Sequence, residues 1–189
     1  MPADSSPSRK PRADAERNRQ RLLEAARAAF NAHGPSVSLE EVARRAGVGI
    51  GTLYRHFPNR DELLLEVYRS EMLRLCQEAE TLAATKPPLE ALRTWLLMFV
   101  DHLEEKIALG EAVKASAGET KAKTTDQLVN ALDVLVTRPV ERGEMVDPGI
   151  EPLDLLRALY GVATASPGRD GSLAARRMVD ILIAGLKRG

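Results

Sequence analysis

Apolar positions along the chain recur at spacings of three and four, and Gly, Pro, Ser and Asn punctuate them at intervals. Leu22, Ala26, Ala29 and Phe30 share one face of a helix expected from about Ala15 to His33. Gly34-Pro35 ends it, because Gly accepts a left-handed cap and Pro cannot continue the helix. Ser38-Leu39-Glu40-Glu41 reads as a capping box. Ser38 bonds the backbone N–H of Glu41, Glu41 reaches back to that of Ser38, and Val37 and Val42 hold the staple positions. Gly47 interrupts this helix after about two turns. A second short helix, Ile50 to Phe57, follows and stops at Pro58. Asn59 and Glu62 repeat the box at the start of a long helix. Its apolar side, Leu63, Leu64, Val67, Met72 and Leu75, carries through to about Ala84.

Lys86-Pro87-Pro88 breaks the chain, and a helix is predicted from Leu89 to Leu109 with two apolar rows. One is Leu89, Leu92, Leu96, Phe99 and Leu103; the other is Ala91, Trp95, Met98 and His102. A helix apolar on two faces is central in its domain. A further helix is expected from about Thr120 to Gly143, kinked or ended by Pro139. After the Asp147-Pro148-Gly149 turn come helices from Glu151 to about Ser166 and from Leu173 to Lys187, with a Pro167–Gly171 loop between them. Leu156 and Tyr160 on the first, and Met178, Ile181, Leu182 and Leu186 on the second, make both too apolar to face water. Pairing with a second copy about a two-fold axis would bury them in a four-helix interface; the alternative is burial within one chain.

Composition supports an all-α chain: 4% of the 189 residues are aromatic, while Ala, Leu, Arg and Glu are abundant. No apolar run approaches the ~18 residues of a membrane span. The start is polar, and a single cysteine, Cys76, excludes an intrachain disulfide, so a cytoplasmic protein without membrane contact is expected. The neutral total conceals an asymmetry. Residues 1–60 hold eleven basic and six acidic residues, a net of +5, which the rest of the chain cancels. A basic front end suits a polyanion.

Two short helices joined by a Gly-containing turn behind a supporting helix describe a helix-turn-helix, here residues 38–57. Ala43 is small enough for a close crossing, Gly47 suits a positive φ, and Val48, Leu53 and Phe57 are expected to plug the core. Gly51, Thr52, Tyr54, Arg55 and His56 are left to face outward, a row suited to phosphates and base edges. A plain helical hairpin with a polar face is the competing explanation.

Catalysis has no support in the residues. His33, His56 and His102 show no paired metal spacing, and no P-loop, dinucleotide Gly pattern or GxSxG elbow occurs. Neither a catalytic residue, a metal nor a cofactor is expected.

The stretch from Val37 to Tyr68, with SLEEVARRAGVGIGTLYRHFPNRDELLLEVY at its centre, resembles the DNA-binding domain of tetracycline-repressor-type (TetR) regulators. The T-L-Y-x-H-F core, the cation after it and the acidic, leucine-rich helix start carry the likeness. The resemblance implies three parts: a basic tail over 1–14, a DNA-binding domain over 15–75, and a helical ligand-binding and dimerisation domain over 76–189. It implies a homodimeric regulator, a repressor released from a near-palindromic operator in double-stranded DNA by a small-molecule effector. Effector binding would shift the long helix that begins at Asn59. Thr52, Tyr54 and His56 match recognition-helix positions that contact phosphates or bases. Ile50 and Gly51 occupy its variable front, Arg55 a variable position, and Arg60 a position that is often a phosphate-binding lysine. Ser38, at the start of its helix, approaches the backbone as well. Arg9, Lys10 and Arg12 of the tail either add backbone contacts or only solubilise it. For the effector, Trp95, Met98, Phe99 and His102 are the candidate lining; ordinary core is the alternative for each. An activator of the same architecture, or a carrier-like small-molecule-binding protein without an operator, are the remaining alternatives.

Overall fold

A computed structural model of the protein describes residues 9–34, 36–109, 118–165 and 169–186. Among these residues the regular structure is entirely helical: α1 (Arg9–His33), α2 (Leu39–Ala46), α3 (Ile50–His56), α4 (Arg60–Thr85), α5 (Pro88–Leu109), α6 (Gly118–Leu132), α7 (Arg138–Glu141), α8 (Pro152–Ala165) and α9 (Arg169–Gly185). A π-helical turn, Asp133–Thr137, joins α6 to α7. None of these helices is long and apolar enough to cross a membrane.

Three boundaries differ from the sequence expectation. The first helix starts at Arg9, not near Ala15, so the expected tail is helical from residue 9; the remainder of it lies outside the described residues. Pro11 is no obstacle, because the first turn needs no backbone N–H from it. The last helix starts at Arg169, inside the expected 167–171 loop. Asp170 stands in its first turn, where a carboxylate suits the helix dipole, and Gly171 is carried within the helix. Pro139 lies in the short helix α7, after the sixth helix has already left α geometry at the π turn. The helix widens into the π turn just before it, and the Arg138 N–H bonds the Asp133 carbonyl five residues back. Widening the turn relieves the clash that a proline ring makes with the carbonyl four residues back.

The chain divides into two compact units, residues 1–67 and 68–189, with the boundary inside α4. In the first, α1 packs on α2 and α3. Leu22, Ala26, Val42, Leu53 and Leu63 are wholly or nearly wholly buried there. In the second, α5 packs on α8, α9 and the π turn, and α9 packs on α8. Its core runs from Met72 to Leu186, with Trp95, Leu92, Leu96 and Val100 of α5 fully enclosed. The two apolar rows on α5 therefore do what they predict and make it the central helix of its unit.

Candidate nucleic-acid interface

α2 and α3 are too short to persist alone, and local bonds fix them. Ser38 lies extended before α2, and its Oγ accepts the Glu41 N–H at 3.2 Å. The reciprocal half of the expected capping box does not form. The Glu41 carboxylate accepts from Arg44 at 2.7 and 2.8 Å and from Arg45 at 2.7 Å. Two guanidiniums on the same helix outcompete one backbone N–H, because bonds between charged partners are stronger than those to a neutral donor. They hold the Glu41 carboxyl down at about 2. Arg45 also reaches His33 Nε2 at 2.9 Å.

Gly47 takes φ +64° after α2, and the Val48 N–H returns to the Ala43 carbonyl at 3.0 Å. A side chain at Gly47 would be strained by that backbone and would meet the Arg21 guanidinium, which donates to the Gly47 carbonyl at 3.5 Å. The Gly49 carbonyl then accepts from Thr52 and Leu53, and α3 begins.

On α3 the helical period separates packing from display. Leu53 and Phe57, four apart, are buried. Ile50 with Tyr54, and Gly51 with Arg55, form two adjacent exposed rows; Thr52 and His56 flank them, half-buried. Tyr54 shows 46% of its surface. A Cβ at Gly51 would meet nothing, so the front of the helix is open. Phe57 is held from the other side by Arg19, whose guanidinium lies 5.7 Å from the ring centroid and also pairs with Glu66 at 2.6 Å. Asn59 caps α4 by accepting the Glu62 N–H at 2.9 Å and donating to its carboxylate at 3.2 Å.

Arg60 is half-buried at the start of α4. Its guanidinium donates to the Val37 carbonyl at 2.7 Å in a part-buried setting, tying the start of α4 to the segment before α2. Sequence reasoning passed over the Glu41–Arg44–Arg45 cluster. The signal was present, since carboxylate and cations stand three and four apart.

The second unit separates the remaining expectations. Trp95 is fully enclosed, donates from Nε1 to the Leu75 carbonyl at 2.7 Å and stacks on Phe99 with centroids 5.9 Å apart. His102 is buried against Tyr68 at 5.2 Å between centroids, and Met98 is half-buried on the same core. Burial, with Tyr160 nearby, raises the Tyr68 hydroxyl to about 12. A cleft of about 360 Å³ opens at a different place, between the end of α4, the start of α5 and the π turn with α7. None of the four expected lining residues borders it. Of the expected dimer residues, Tyr160, Met178 and Ile181 are exposed, Ile181 at 65%; Leu182 is half-buried, while Leu156 and Leu186 are taken up by the chain's own core. Burial raises the Cys76 thiol to about 11, which keeps it protonated and unreactive at neutral pH. Among the described residues no group of three or more His, Cys, Asp or Glu is placed to hold a metal.

Comparison with known proteins accounts for both units. Residues 22–67 match the family described as bacterial regulatory proteins, tetR family. Residues 87–188 match the C-terminal domain of SbtR-like transcriptional regulators. The chain is similar to a TetR transcriptional regulator from Streptomyces coelicolor: identity is 37%, coverage 89% of this chain and 98% of that one, and TM-score 0.75. A TetR transcription regulatory protein from Mycobacterium vanbaalenii is 30% identical, with 94% and 99% covered and a TM-score of 0.66. An HTH-type transcriptional regulator of Staphylococcus aureus is 39% identical over 62 residues, 32% of this chain; the match spans 34% of that relative's length. Matched over both units, the chain belongs to the TetR family of helix-turn-helix transcriptional regulators, a class without enzymatic activity.

Proposed function

We propose that the chain is a sequence-specific DNA-binding repressor, working in the cytoplasm as a homodimer and released from a near-palindromic operator by a small molecule. The observation that carries this reading is the division of α3: Leu53 and Phe57 hold it in the core, and Ile50, Tyr54 and Arg55 stand exposed in adjacent rows. A major groove admits such a helix, and Tyr and Arg reach phosphates and base edges. The half-buried Thr52 and His56 and the N-cap Ser38 border that face as backbone contacts. Arg60 contributes chiefly by fixing the Val37 carbonyl and thereby the entry to α2. The DNA-binding domain spans 15–75 and the effector and dimer domain 76–189.

The exposed apolar residues Tyr160, Met178 and Ile181, on the neighbouring helices α8 and α9, support a dimer surface. Ile181→Glu removes nothing from the core, so it should yield folded monomers in sedimentation. An intact dimer would place the interface elsewhere.

Selection of bound duplexes from a random pool at moderate salt tests the whole reading. The expected result is a two-fold palindrome with half-sites about one helical turn, ~34–36 Å, apart or a multiple of it. A folded dimer that enriches no sequence would overturn it in favour of a carrier-like protein. Enrichment with increased reporter output would make it an activator.

A further inference from the structure

The 360 Å³ cleft of the second unit lies outside the dimer surface and borders the core around Trp95 through Ala91 and Leu135. Its size falls within the roughly 300–1,000 Å³ of small-molecule sites. Its floor carries apolar side chains, Ala91 and Leu135 almost fully buried and Pro139 buried, and the exposed Ala83 and Ala84 line one wall. The π turn ahead of Pro139 shapes the opposite wall, and such turns recur at functional sites.

The rim is charged and unevenly matched. Lys86, Arg138 and Arg142 stand on it with Glu80 and Glu144. Arg138 pairs with Glu80 at 3.6 Å, and Lys86 pairs with Glu90. The Arg142 guanidinium has no side-chain partner among the described residues.

We infer that this cleft binds a small amphiphilic monocarboxylate, its apolar body on Ala83, Ala84, Ala91 and Pro139 and its carboxylate on the Arg142 guanidinium. The planar fork of arginine matches a carboxylate with two parallel bonds. Two rim glutamates admit a single negative charge and repel a second, which disfavours phosphate and sulfate. As an effector site the cleft deepens the repressor reading and rests on it; as a binding site it stands without any operator.

Titration of the full-length protein, labelled with ¹³C at alanine methyls, with benzoate and with hexanoate tests the site directly. Either acid should shift the methyls of Ala83, Ala84 and Ala91 saturably. Hexanol and inorganic phosphate should do so far more weakly. Arg142→Ala, an exposed substitution that leaves the floor intact, should weaken carboxylate binding about tenfold, the size of a lost bond to a charged group. Arg142→Lys should fall between, since it keeps the charge and loses the fork. No shift at these three alanines with millimolar carboxylate would overturn the inference, as would hexanol binding equally well or affinity unchanged in Arg142→Ala. Release of a selected operator duplex is read separately by fluorescence anisotropy. Carboxylate binding that leaves the duplex bound would retain the site and remove its effector role.

Discussion

The short helix α3 and the central helix of the second unit solve opposite problems. α3 is seven residues long, and only its Leu53–Phe57 side is enclosed, so its position depends on bonds at both ends and on Arg19 over Phe57. α5 is 22 residues long and meets α8, α9 and the π turn, so it is held along its length by burial. The comparison teaches where sensitivity lies. On α3 adjacent residues have unrelated duties, while on α5 almost every inward residue has the same one. A helix that must show a face to a partner keeps a sharp boundary between packing and display. A helix that only supports its neighbours does not.

The largest effect should come from α5. Trp95→Ala removes a fully enclosed ring, its stacking on Phe99 and its bond to the Leu75 carbonyl, and should cost about 3–5 kcal/mol. Thermal unfolding followed by circular dichroism checks this. A loss below about 1 kcal/mol would mean that Trp95 lines a space that collapses freely, as an effector pocket could.

The next effect is a contrast between neighbours on α3. Leu53→Ala should destabilise by about 2–5 kcal/mol, because the side chain has no exposed surface. Tyr54→Ala, one residue on, should change stability by less than about 0.5 kcal/mol and weaken binding to a selected operator duplex by about tenfold or more, within the roughly 1–3 kcal/mol of a base-reading contact. Denaturant titration and duplex binding measured on both variants decide it. If Tyr54→Ala unfolds the first unit, the proposed division of α3 is wrong.

The same contrast explains what could be read in advance. Around α2 and α3 the determinants are local: Ser38 three residues before Glu41, Gly47 between two short apolar runs, Leu53 and Phe57 four apart. Each is a statement about one turn of helix, and each appears in the structure. The fate of Glu41 was misread because the box motif names one partner and ignores the cations three and four residues on. In the second unit the helices were legible and the cleft was not. Trp95 and His102 look like pocket residues because they are large and polar-tipped, yet partners distant in sequence, Leu75 and Tyr68, absorb them into the core. The cleft is lined by alanines, two prolines, Val134, Leu135 and rim charges from two stretches of chain, 80–91 and 134–144, and no spacing of such residues announces a cavity. Leu156 and Leu186 show the same limit, since periodicity marks an apolar face without saying whether the same chain or a second copy covers it.

A smaller effect is expected from the cap of α2. Ser38→Ala removes the acceptor of the Glu41 N–H and should cost about 1 kcal/mol, within the roughly 0.5–2 kcal/mol of such losses. Ser38→Asp should restore it, since a carboxylate also accepts that bond and suits the helix start. Equal melting temperatures for Ser38→Ala and the parent protein would mean that the core, and not the cap, decides where α2 begins.

The smallest effect belongs to Glu41 and is read as a dependence on pH. Its carboxyl titrates at about 2 in the folded chain against an ordinary 4.5, because Arg44 and Arg45 bond the ionised form. A depressed folded value means that the unfolded chain takes up the proton first. The stabilisation is therefore complete above about 4.5 and is lost as the pH falls towards 2. Arg44 is largely exposed, so water and salt screen the pair and the change is modest. Other carboxylates titrate over the same range, and the informative quantity is the difference between the parent protein and Glu41→Gln. That difference should hold from neutral pH down to about 4.5, shrink from there towards 2, and be smaller throughout in high salt. A difference that stays constant with pH would show that Glu41 acts through packing alone. It would also show that Arg44 and Arg45 are already free to meet another anion.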